Sequence, residues 1–258
     1  MTKWSTILVE RHEHVLTVTL NRPQQRNAFD WPMRGELTEL WTATRDDRDV
    51  RCVVLTGAGE GFCAGFDVGD LSSERRPAGE GLDDEIAFVP GRRLEVPVVV
   101  AVNGVCAGGG LHFVADADVA IASERAWFVD PHVNVGQVSG IEPVSLALRV
   151  PLGALYRLAL LGRGERWDAA HALDLGLVTE VVPADRLLDR AHELASAIAA
   201  SSPAAVRETR RVLRQFETDV IGPWMVRGWD AVQAHWAHPD AVEGPRAFAE
   251  RRDPGWEP

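Results

Sequence analysis

VPVVVAVNGVCAGGGLH, from Val96 to His112, is the stretch on which the reading of the fold turns. Its first half is a continuous, β-branched apolar run, the pattern of a strand buried on both faces of a sheet. Its second half looks like a turn with three consecutive glycines that opens the helical segment LHFVADA. Glycines behind a buried strand let backbone N–H groups approach a ligand without a Cβ in the way. A helix start also leaves N–H groups unpaired at its positive end.

Upstream, GAGEGFCAGFD (Gly57 to Asp67) repeats the arrangement behind a strand predicted over Val50 to Thr56. Two such turns converging would make a two-donor oxyanion hole. A dinucleotide fingerprint is the rival reading, but the third glycine of GxGxxG would fall on Phe62, and no regular βαβ unit follows. Purely structural turns are the other alternative. Farther out, Val15 to Leu20 and Val119 to Ala122 read as strands, and Pro32 to Thr44 as a helix with Met33, Leu37, Leu40 and Trp41 on one side. A charged, Gly-rich loop is expected over Ser72 to Asp84, then a short helix to Leu94. From Pro183 the chain reads as helices over Arg186–Ala200, Pro203–Phe216, Pro223–His235 and Asp240–Arg251. The plan is an α/β core over residues 1–195 and a helical region over 196–258. Trp224, Trp229 and Trp236 form a stripe expected to be core or subunit contact.

The 258 residues, 46% apolar and 25% charged, describe a globular protein. A net charge of -11 argues against a nucleic-acid partner, although a local Arg cluster could still hold phosphate. Cys52, Cys63 and Cys106 lack metal-ligand spacing and read as small buried hydrophobes. MTKWSTILVE lacks an apolar h-region and a cleavage site, and no apolar run approaches a membrane span, so a cytoplasmic location is expected. His12 and His14 would alternate on one strand face, but no third metal ligand is in view.

Taken in order, several segments resemble the enoyl-CoA hydratase/isomerase (crotonase) superfamily. They are NRPQQRNA (Asn21–Ala28), GFCAGFD (Gly61–Asp67), VAVNGVCAGGG (Val100–Gly110), DVAIASERAWFVDPHVNVG (Asp118–Gly136), ALDLGLVTEVVP (Ala172–Pro183) and GPRAFAERRDP (Gly244–Pro254). The resemblance implies a spiral of ββα units with a C-terminal helical region that builds homotrimers, often paired into hexamers. It implies an acyl-CoA substrate, no cofactor beyond the coenzyme A of that substrate, and no metal. It also implies an oxyanion hole made by the N–H groups of Phe66 and Gly109. Ala28, Ala64 and Val68 would lie near the adenine, Arg22 or Arg26 would meet phosphate, and Phe248 and Arg251 would reach coenzyme A from a neighbouring region or subunit.

The chain departs from the family at the two positions where family hydratases carry glutamates: here they are His112 and His132. His112 would lie in the first turn of a helix, whose positive end disfavours imidazolium and should keep it neutral. Two imidazoles could hydrate a double bond only if they differ in protonation state. Asp130, two residues before His132, and Glu142 are the nearby carboxylates. The expectation is His112 and His132 as acid/base residues, with Glu142 as their partner or as the direct base. Three functions compete: an enoyl-CoA hydratase or isomerase; a hydrolase or C–C bond-cleaving enzyme acting on a thioester or β-diketone; and a non-catalytic acyl-CoA-binding relative.

Overall fold

The computed structural model describes residues 4–67 and 81–257. Among the described residues ten short strands form two sheets. The larger contains β1 (Ile7–His12), β2 (Val15–Leu20), β3 (Cys52–Gly57), β5 (Val98–Val102), β7 (Val119–Ser123) and β10 (Glu180–Val182), in that spatial order. The smaller contains β4 (Gly61–Cys63), β6 (Val105–Ala107), β8 (Trp127–Val129) and β9 (Trp167–Asp168). β1 pairs antiparallel with β2, and from β2 across to β10 every pairing is parallel. Three times the chain makes a strand in the larger sheet, turns, and adds its next strand to the smaller one: β3 to β4, β5 to β6 and β7 to β8. This repeated step is the ββα spiral.

Every residue of β3 and β5 is buried, as their unbroken apolar runs require. One face of the larger sheet meets α1 (Trp31–Arg45), whose Met33, Leu37, Leu40 and Trp41 enter the main core. Asp30 caps this helix by accepting from the Met33 N–H at 2.9 Å. The other face meets Leu187, Ala191, Ala195 and Ala199 of a later helix, Leu187–Ala199, so the expected boundary at residue 195 falls inside that helix. The three thiols are buried and free. Burial pushes Cys52 and Cys63 up to about 12, which keeps them un-ionised.

In chain order the further described helices are α2 (Leu82–Glu85), α3 (Leu111–Ala115), α4 (Glu142–Ser145), α5 (Leu152–Leu161), α6 (Ala169–Asp174), α7 (Leu187–Ala199), α8 (Pro203–His235) and α9 (Asp240–Glu250). Three expectations need correction. The helices expected to stop at Phe216 and restart at Pro223 are one, α8, with Pro223 inside it. Proline removes one backbone hydrogen bond, but Ile221, Met225 and Trp229, spaced four apart, bury that side of the helix around it. The helix expected to reach Leu94 ends at Glu85. Arg34 takes the Glu85 carbonyl and Trp41 Nε1 takes that of Phe88, so side-chain donors occupy oxygens a longer helix would use. His12 ends β1 while His14 lies in the hairpin turn beyond Glu13, whose φ is +51°, so the two histidines do not share a strand face. Among the described residues no helix is long and apolar enough to cross a membrane.

Candidate active site

The two glycine turns meet. Phe66 pairs with Phe29 in an isolated parallel bridge, in which Phe29 N–H donates to Gly65 O and Asp67 N–H to Phe29 O. Bonds through both neighbours leave the Phe66 N–H pointing away from Phe29, because successive amides of an extended chain alternate. The second turn is a single 3-10 turn, Gly108–Gly110, leading directly into α3. A Cβ added to Gly65 would sit 3.3 Å from the Gly109 nitrogen, and one added to Gly109 would sit 3.7 Å from the Phe66 nitrogen. Among the described residues neither amide donates in a turn, loop or cap. A Cβ on Gly109 would also come within 2.7 Å of the Phe29 ring, so this approach admits only glycine.

Beside these amides three separate elements assemble a chain of titratable side chains. α3 supplies His112, the turn after β8 supplies Asp130 and His132, and α4 supplies Glu142. Glu142 Oε1 lies 3.0 Å from His112 Nε2 and 3.5 Å from His132 Nε2. The other ring nitrogen of His132, Nδ1, is 2.5 Å from Asp130 Oδ1. Asp130 is buried, and its second oxygen accepts a hydrogen bond from the Ser139 hydroxyl. Burial opposes charge on His132, but the Glu142 and Asp130 carboxylates outweigh it and push His132 up to about 10. Burial would likewise raise Glu142; His132 and His112 outweigh it and hold the carboxyl far below its usual range. At neutral pH the site therefore contains a carboxylate facing an imidazolium.

Two facing glycines set the depth of Glu142. A Cβ on Gly228 of α8 would strike the Gly140 carbonyl, and one on Gly140 would come within 2.5 Å of the Gly228 carbonyl. Backbone rests on backbone, which fixes the loop entering α4 and turns Trp229 toward the same space.

Phe66, Gly109, His112, His132 and Glu142 all line one cavity of about 140 Å³. Its remaining wall mixes the aromatic rings of Phe29, Trp31, Phe88, Trp229 and Trp236 with aliphatic and polar side chains. Trp229 and Trp236 of the predicted stripe belong to that wall, packed edge to face at 5.3 Å, whereas Trp224 is exposed. The helical i, i+7 spacing of the first two could have shown that they share a face. Nothing in the sequence marked Ser139 or Arg34, which also lines the cavity, paired with Glu85 at 3.1 Å and stacked 4.8 Å from the Trp31 ring.

A sequence profile described as enoyl-CoA hydratase/isomerase matches residues 10–258. The chain belongs to that family. It is 35% identical to the enoyl-CoA hydratase EchA19 of Mycobacterium tuberculosis, over 97% of this chain and 96% of that protein. It is 34% identical to the mevalonyl-coenzyme A hydratase sidH of Aspergillus fumigatus, over 95% of this chain and 92% of that protein. Among solved structures, an enoyl-CoA hydratase/isomerase from Pseudoalteromonas atlantica superposes with a TM-score of 0.88 at 30% identity, covering 98% of this chain and 100% of that one.

The remaining positions that family resemblance singles out are spread along the chain. Ala28 is buried and Ala64 partly so; the Ala64 N–H donates to Arg26 O at 3.0 Å, which holds the two segments together. Arg26 is exposed at a positive φ of 50°. Arg22 is internally engaged, with Asp30 and Asp67 each 3.1 Å from its guanidinium and the Ala28 carbonyl as a further acceptor. Val68 lies outside the described residues. Phe248, on α9, is exposed with the Arg163 guanidinium over its ring, and Arg251 caps that helix with φ 56°. Neither of these two lines the cavity.

Proposed function

We propose that this enzyme adds water reversibly across the Cα=Cβ bond of an enoyl-CoA thioester. The thioester oxygen accepts from the Phe66 and Gly109 amides, which meet the negative charge as it develops there. Glu142 removes a proton from water as the water oxygen bonds to Cβ. The double-bond electrons move toward the thioester oxygen, and the enolate takes a proton at Cα from the His132 imidazolium. One water is consumed. A proton crossing the 3.5 Å between His132 and Glu142 restores both groups.

His112 holds Glu142, while Asp130 and Ser139 hold His132; these are positioning residues. The observation that carries the reading is the oppositely charged His132–Glu142 pair on the wall of the cavity that also holds the two amides. Two histidines in place of two glutamates leave those positions without a carboxylate base, and Glu142 supplies one. In this reading Arg26, Ala28, Ala64 and Val68 flank the coenzyme A, Arg22 braces that loop, and Phe248 and Arg251 act across a subunit boundary. The protein would work in the cytoplasm as a homotrimer or hexamer, without a further cofactor. Exposed Leu213, Phe216 and Trp224 on α8 and Leu152, Tyr156 and Leu160 on α5 support self-association.

Crotonyl-CoA tests the chemistry. Loss of the conjugated enoyl absorbance without free thiol is the expected result. Release of thiol would make the enzyme a hydrolase, and binding without either change would make it an acyl-CoA-binding protein.

A further inference from the structure

Phe29, Trp31, Phe66, Phe88, Trp229 and Trp236 are among the residues lining the cavity, and we infer that the acyl group carries an aryl ring beyond Cβ. This deepens the hydration reading and rests on it for where the thioester lies. A chain whose carbonyl meets the Phe66 and Gly109 amides runs into this cavity, where among the described residues Val138, Ile141 and Val232 stand beside the aromatic rings.

The wall is pre-arranged for a flat group. Phe29 and Phe66 pack at 5.5 Å and 84°, Trp31 and Phe66 at 5.3 Å and 73°, and Trp229 and Trp236 at 5.3 Å and 85°. Ring edges and ring faces are therefore presented together, and an aromatic pair gains attraction beyond the area it buries. A saturated chain gains area alone. The cavity, about 140 Å³, has to hold the reacting thioester carbons as well, so it admits only a compact group beyond Cβ. A long alkyl chain exceeds it.

Calorimetric binding of three non-reacting saturated thioesters decides the matter. 3-Phenylpropanoyl-CoA should bind at least tenfold tighter than butanoyl-CoA and dodecanoyl-CoA. Trp236→Ala should shrink that margin, and Trp236→Phe should keep most of it. Equal or tighter binding of either alkyl thioester to the wild-type enzyme overturns the inference. Turnover separates it from the hydration reading. Hydration of crotonyl-CoA without aryl preference leaves hydration standing and removes the aryl assignment. Aryl preference with no turnover of crotonyl-CoA or cinnamoyl-CoA does the reverse.

Discussion

The two sides of the cavity are built on different principles. The amide side is backbone, set by glycines at 65, 108, 109 and 110 within two local turns. The proposed acid/base side is side chain, gathered from residues 112, 130, 132, 139 and 142 on three elements and the segment between them. A backbone donor cannot be deleted by substitution, only crowded or tilted. A side-chain network can be changed one atom at a time. The amide side should thus be rigid and nearly independent of pH, while the other side carries the titration.

The largest effect should come from Glu142→Gln, which keeps the shape and removes the base: kcat should fall roughly 10³–10⁴-fold with KM little changed. Steady-state kinetics with a fold check by circular dichroism measures it. The same variant with normal kcat would take Glu142 out of the chemistry. Gly109→Ala attacks the other side. Its Cβ meets the Phe29 ring at 2.7 Å, so the turn must tilt, and a kcat loss of about 10²–10³-fold is expected, with a higher KM.

Asp130→Asn should be milder, roughly tenfold in kcat, but diagnostic in its pH profile. In the wild type, kcat should stay flat through neutrality and fall as pH rises through about 10, where His132 loses its proton. Without the Asp130 charge that limb should move to lower pH; an unmoved limb would mean that Asp130 does not set the state of His132. Stability gives a readout independent of turnover. His132 is raised from 6.5 to about 10 on folding, so its contribution is complete below pH 6.5 and is lost as pH rises toward 10. Thermal melts between pH 7 and 10 should therefore drop more for the wild type than for His132→Gln.

Legibility in the sequence follows the same division. β3, β5 and the triple-glycine turn could be read directly, because a buried strand and a tight turn are local properties of a few neighbouring residues. His112, His132 and Glu142 could be named, yet their mutual distances depend on how three elements pack, including the Gly140–Gly228 contact, which nothing local encodes. Helix α8 shows the opposite failure: Pro223 is a correct local stop signal that tertiary burial of Ile221, Met225 and Trp229 overrides. The aromatic wall drew on Phe29 and Phe88, too far apart in sequence to read as one surface.

Infrared difference spectroscopy of a carbonyl-labelled ¹³C enoyl-CoA bound to Glu142→Gln addresses the shared claim most directly. If the Phe66 and Gly109 amides hold the thioester oxygen, the labelled stretch moves to lower wavenumber than in the free thioester, and Gly109→Ala in the same background reduces the shift. A bound thioester whose carbonyl vibrates as it does in water would contradict the account.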